Sequence, residues 1–169
     1  MDGVNDYVTV GDNLDLAQSD AITIAGWIQF KSLRPYDGIV HKFADGYSNY
    51  RLIVHDSGEF LSAQIGSGGT LVSVSTSLDK MSPNRWYHVA VVLDSAKQKA
   101  TIYIDGILRS SKRFTVPRKD TNAALLIGRN SWSGQFFDGW IDDLRIYDRA
   151  LDIYDLKSLV EFRERAARQ

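Results

Sequence analysis

Side chains that alternate between apolar and polar at every second position suit one kind of backbone, a pleated strand with one face buried. Ile22, Ile24 and Ile28 fall on one face of such a segment, with Thr23 and Trp27 on the other. The same period sets Tyr50, Leu52 and Val54 against Arg51, Ile53 and His55. Residues 86–93 (Trp-Tyr-His-Val-Ala-Val-Val-Leu) are nearly all apolar, as a strand covered on both faces is. The run 101–104 enters Asp105-Gly106 and continues into Ile107-Leu108. Asp-Gly between two apolar runs marks a two-residue hairpin, because that turn needs positive φ. Residues 125–128 and 140–147 read as late strands, and clusters of Gly, Ser, Asp and Asn at 56–58, 66–69 and 131–134 separate the runs. Many short strands with turn signals between them predict an all-β sandwich or barrel.

One helix is expected, at the C-terminal end. Asp152 caps it and Asp155 lies near its positive end. Ile153, Leu156 and Val160 form a stripe expected to dock on the sandwich. Leu159, Phe162 and Ala166 form a second stripe. One sheet edge cannot bury both, so a second copy of the chain or a neighbouring domain is expected to cover it. The division expected is a sandwich over 1–154, with 155–169 as a helical extension of the same domain.

The chain has 169 residues, enough for one domain, and 44% of them are hydrophobic, which supports a sizeable core. A net charge of -1 with both signs interspersed argues against a nucleic-acid partner. No apolar run approaches the roughly 20 residues that span a bilayer, so membrane insertion is not expected. No charged-then-apolar leader precedes the first strand pattern. There is no cysteine, which excludes a disulfide framework and Cys-based zinc sites. Of the three histidines, His41, His55 and His88, no two stand at helical ligand spacing.

Five segments, in order, carry a family resemblance: Asp2-Gly3-Val4-Asn5-Asp6-Tyr7-Val8, the run 22–28, Trp86 to Asp94, Ile102-Tyr103-Ile104-Asp105-Gly106, and Phe137 to Leu151. Together they resemble the laminin-G-like domains of the concanavalin A-like lectin/glucanase superfamily. The resemblance implies a two-sheet antiparallel jelly-roll sandwich with a short C-terminal helix. It also implies a surface-exposed or extracellular setting. The function it favours is a non-catalytic, lectin-like glycan-binding module. The alternatives are a structural or adhesive protein–protein module of a surface or virion assembly, and a glycanase. A fold hosts many sites, so function has to be argued from residues.

The resemblance places the two chain ends on adjacent strands, so Asp2, Asn5, Asp6, Asp142 and Asp143 are candidates to converge. Their oxygens suit a hard cation such as Ca²⁺, with Asp2, Asn5 and Asp142 as the expected ligands. The competing reading is that they satisfy turn backbone and pair with Arg145 or Arg149. Trp27, Arg51, His55, Gln64 and His88 are candidates to share one outer sheet face, an apolar plate with polar neighbours. The competing reading is that Trp27 and Trp86, which match fold positions, are packing residues. Loop residues are less tied to the fold. Tyr36, Asp37, His41, Lys42, Tyr47 and Asn49 surround one candidate loop. Arg129, Asn130, Trp132, Ser133 and Gln135 fill another. The expected ligand set is Trp132, Arg129, Asn130, Gln135, Tyr36, His41 and Asn49. No E-x-D-x-x-E run supplies the paired carboxylates of a glycanase, and no nucleophile elbow or P-loop occurs.

Overall fold

A computed structural model of the chain describes residues 1–11, 21–44, 48–55, 57–67, 70–79, 81–115, 123–131 and 134–166; at 43, 44, 48, 49, 67, 70 and 162–166 only the backbone is described. The strands are β1 (Val8–Val10), β2 (Ala21–Ser32), β3 (Gly38–Ala44), β4 (Ser48–Val54), β5 (Phe60–Ser67), β6 (Thr70–Ser77), β7 (Trp86–Asp94), β8 (Lys99–Ile104), β9 (Ile107–Arg113), β10 (Leu125–Ile127) and β11 (Asp138–Tyr147). They form two antiparallel sheets. One has six strands in the order β1-β10-β3-β4-β5-β6, the other five in the order β11-β2-β7-β8-β9.

The alternation read from the sequence sets the core. Ile22, Ile24, Ile28 and Phe30 of β2 face inward, and so do Tyr50, Leu52 and Val54 of β4. In β7, Val89, Val91 and Leu93 enter the same core, while Ala90 and Val92 join a second cluster on the outer side of the sheet. This is why the run is apolar at both parities. Asp105 and Gly106 close the β8–β9 hairpin with φ of 52° and 68°, and Ile104 stands opposite Ile107. Positive φ at both central residues is the geometry of a type I′ turn.

The helix α1 (Ile153–Ala166) lies on the outer face of the five-stranded sheet. The Asp152 carboxylate caps it, accepting the N–H groups of Tyr154 (2.8 Å) and Asp155 (2.9 Å), and Asp155 pairs with Arg149 at 2.8 Å. The docking stripe differs from the expected one. Leu151 and Leu156 are buried against Ala25, Ala90 and Val92, and Leu159 packs beside them. Val160 lies beside Gly106 of the β8–β9 hairpin. Leu159, expected to await a partner, therefore packs on the chain's own sheet. Small side chains at 25 and 90 let the helix sit close enough to use it. The side chains of Phe162 and Ala166 lie outside the described residues.

Candidate functional site

The register sets one residue from each strand of the six-stranded sheet in a single row on its outer face. In strand order these are Thr9, Leu126, His41, Arg51, Gln64 and Ser73. Residues directly paired across strands share a face, so their side chains are neighbours. Arg51 Nε donates to Gln64 Oε1 at 2.6 Å. His41 Nδ1 accepts the Ser131 N–H at 2.8 Å. Burial, with the Arg51 guanidinium adding to it, pushes the His41 pKa down to about 3, so the ring is neutral at physiological pH.

The loop after β10 is held against the start of β3. A Cβ on Gly38 would stand 2.3 Å from the Arg129 carbonyl carbon and 2.4 Å from the Asn130 nitrogen, so only glycine permits the approach. Asn130 Nδ2 donates to the Tyr36 carbonyl (3.0 Å), and the Asn130 N–H donates to the Gln135 carbonyl (2.9 Å). The Arg129 guanidinium lies over the rings of Tyr7 (4.7 Å) and Phe136 (5.4 Å). Arg34 donates to the carbonyls of Gly3 and Phe136 and flanks the buried Asp37 carboxylate at 3.4 Å. Burial raises the Asp37 pKa even though its hydrogen bonds and ion pair with Arg34 pull the other way.

Tyr36, His41, Arg129, Asn130 and Gln135, read from two separate loops, are thus brought to one region. Their roles differ. His41 and Asn130 are fully buried and engaged with the loop itself. Tyr36 is 38% exposed, and Arg129 and Gln135 are half-buried. Lys42 is buried on the core side, level with Tyr50, and donates to the Ala123 carbonyl at 2.9 Å. Lys42 and Asp37 therefore hold structure rather than line an open loop. Tyr47, Trp132 and Ser133 lie outside the described residues, as does the Asn49 side chain.

The acids proposed for calcium are engaged otherwise. Asp2 Oδ1 accepts the N–H groups of Val4 (2.9 Å) and Asn5 (3.3 Å), and these bonds hold its pKa below the usual value. Asp142 accepts the Asp143 N–H, and Asp143 pairs with Arg145 at 2.8 Å. Asp2 bridges to Asp138, four residues before Asp142, which along a strand is roughly 13 Å. Asp2 and Asn5 are therefore not brought to Asp142. Among the described residues, no group of three His, Asp or Glu is placed to hold a metal ion.

The proposed shared face of Trp27, Arg51, His55, Gln64 and His88 is divided. Arg51 and Gln64 face outward from the six-stranded sheet, Trp27 and His88 from the other. His55 follows β4 and meets the Phe60 ring edge-on at 6.2 Å. On the five-stranded sheet, Trp27 pairs directly with His88, their rings 5.4 Å apart. Burial lowers the His88 pKa, opposed by Asp105 and Asp143. In the neighbouring row of the same face, Trp140 of β11, Gln29 of β2 and Trp86 of β7 stand side by side. Trp140 is 44% exposed, with Lys31 Nζ 4.9 Å from its ring centre. Gln29 Nε2 donates to the Asn84 carbonyl at 2.8 Å. The helix covers the Ala25–Ala90 half of this face, and the tryptophan row lies in the other half. Sequence reasoning missed the row. Parity marks Trp86 as sharing a face with His88, but the alignment of 29, 86 and 140 needs the sheet register.

Residues 2–154 match the family model of the concanavalin A-like lectin/glucanases superfamily. The chain belongs to that superfamily. Solved structures with the same lectin-like sandwich include a Bacteroides ovatus protein provisionally assigned to carbohydrate binding (20% identity, TM-score 0.72, covering 92% of this chain and 45% of that one). Another comes from botulinum neurotoxin type C, whose cell entry depends on interaction with two ganglioside molecules (19%, 0.72, 95% and 41%). A third is the binding domain of botulinum neurotoxin DC in complex with rat synaptotagmin II (18%, 0.74, 95% and 42%). This lectin-fold chain spans less than half the length of each of them. At such identity the likeness concerns the fold.

Proposed function

We propose that this chain is a non-catalytic glycan-binding module. The observation that carries the reading is the row Trp140–Gln29–Trp86. An indole plate packs against the C–H face of a pyranose, and an amide between two plates offers a donor and an acceptor to ring hydroxyls. The two tryptophans are on strands two spacings apart, about 9.6 Å, a separation that suits successive contacts along an extended saccharide. The carbohydrate-binding and ganglioside-dependent proteins among the similar structures support the same class. The acids on this face are taken up elsewhere: Asp138 by Ser32 and Lys31, Asp142 by a backbone N–H, Asp143 by Arg145. A glycosidase needs two carboxylates flanking one bond, one of them protonated.

The test is a glycan array followed by calorimetry on its positives. Trp140→Ala is expected to weaken binding about tenfold, on the order of 1.4 kcal/mol, with little change in melting temperature. Tyr36→Ala, run beside it, probes the loop region on the other sheet. An array with no saccharide positives would overturn the reading. A loss confined to Tyr36→Ala would move the site to the loop.

A further inference from the structure

We propose a second site, at the far end of the same sheet, for the carboxylate or sulfate groups of an acidic polysaccharide. Lys99 of β8 stands directly opposite Arg113 of β9, Lys112 is adjacent, and Lys97 lies in the turn before β8. With Ser111 these residues line an open groove of about 580 Å³. A second groove of about 280 Å³ shares Lys97 and Lys99, and runs past Thr101 and Tyr103 to the start of α1. The tryptophan row is about 27 Å away, eight residues along β7.

One described acid, Asp94, serves the cluster: it stands directly opposite Lys99 on β7, and the Lys97 ammonium lies 2.9 Å from it. Burial works against the Asp94 carboxylate, but the N–H and ammonium of Lys97 keep its pKa below the usual value. Lys99, Lys112 and Arg113 are exposed and form an ion pair with no carboxylate among the described residues. Like charges directly opposite on neighbouring strands destabilise the pair, and the single carboxylate of Asp94 leaves Lys97, Lys99, Lys112 and Arg113 with an excess of positive charge that a bound anion would relieve. The chain carries a net charge of only -1, so the cluster is not a consequence of composition.

Charges on a free sheet edge also deter strand-to-strand aggregation. That role accounts for Arg109, Lys112 and Arg113 on the edge strand β9. It does not account for Lys99, because β8 is paired on both sides. The adjoining groove selects among anions. The Tyr103 ring and the Thr101 hydroxyl offer an apolar surface and a hydrogen-bonding group, which a sugar uses and a bare polyphosphate does not. The choice of a saccharide rests on the glycan reading above; the cationic site does not.

Binding of oligogalacturonate, a heparin-derived oligosaccharide, neutral dextran and inorganic polyphosphate would be measured by calorimetry at 50 and 300 mM NaCl. Oligogalacturonate or the heparin fragment is expected to bind at low salt, and more weakly at high salt as screening grows. The stronger of the two identifies carboxylate or sulfate as the anion. Lys99→Glu and Arg113→Glu are each expected to weaken that binding at least tenfold. Arg109→Glu makes the same charge change on the same strand outside the groove and is expected to leave it within twofold. Lys99→Gln repeats the loss without a charge reversal. All three side chains are exposed, and melting temperatures verify folding. An equal loss in Arg109→Glu, tighter binding of polyphosphate, or no binding of either acidic saccharide would each overturn the proposal. Retention of the Trp140-dependent ligand by Lys99→Glu keeps its failure distinct from that of the glycan reading.

Discussion

Acid should destabilise this protein through His41, in a window defined by its environment. The unfolded imidazole titrates near 6.5 and the folded one at about 3. Between those values the unfolded state binds the extra proton, so stability falls as pH falls. Each pH unit costs about 1.4 kcal/mol within the window, so a drop to pH 5.0 removes about 2 kcal/mol. His88, also lowered, acts in the same direction. Asp37 acts oppositely: its folded pKa is raised, so the folded state takes up that proton first and regains part of the loss as pH approaches the carboxylate range. A variant isolates the His41 contribution. His41→Asn keeps an acceptor for the Ser131 N–H and removes the titration. Urea unfolding at pH 7.5 and 5.0, followed by tryptophan fluorescence, should show wild type losing about 2 kcal/mol more than the variant. Equal losses, or a His41 NMR signal titrating near 6.5, would refute the reasoning.

Leu156→Ala should cost about 2–5 kcal/mol, because Leu156 is fully buried between helix and sheet. Chemical denaturation measures this, and an unchanged midpoint would mean the helix is not docked. Gly38→Ala should destabilise by at least 1–3 kcal/mol, since its Cβ would meet backbone rather than a flexible side chain. A wild-type melt would show that the loop after β10 is not held against β3. Asp2→Ala should lower the melting temperature slightly by freeing two turn N–H groups, and equally in EDTA and in calcium. A calcium-dependent rise that the substitution abolishes would restore the metal reading.

Some of this could be read from neighbours in the chain alone. Strand parity is a local property, so the inward set Ile22, Ile24, Ile28 and Tyr50, Leu52, Val54 followed from spacing. The Asp105-Gly106 hairpin and the Asp152 cap were local too, because each is decided by a few adjacent dihedrals and hydrogen bonds. The docking stripe of α1 was not. It depended on Ala25 and Ala90 being small on a sheet the helix meets only after the sandwich closes.

Register and sheet membership belong to tertiary structure. Parity could put Trp27, Arg51, Gln64 and His88 on outward faces. A sandwich has two such faces, and nothing near those residues says which sheet each strand joins. The rows His41–Arg51–Gln64 and Trp140–Gln29–Trp86 arise from the relative sliding of strands far apart in sequence. The same sliding set Asp2 beside Asp138 rather than Asp142, and so divided the acids that the adjacency of the two chain ends had grouped. A slip of one residue in either sheet would turn each of these side chains to the opposite face. The burial of whole apolar faces between the sheets holds the register against that slip.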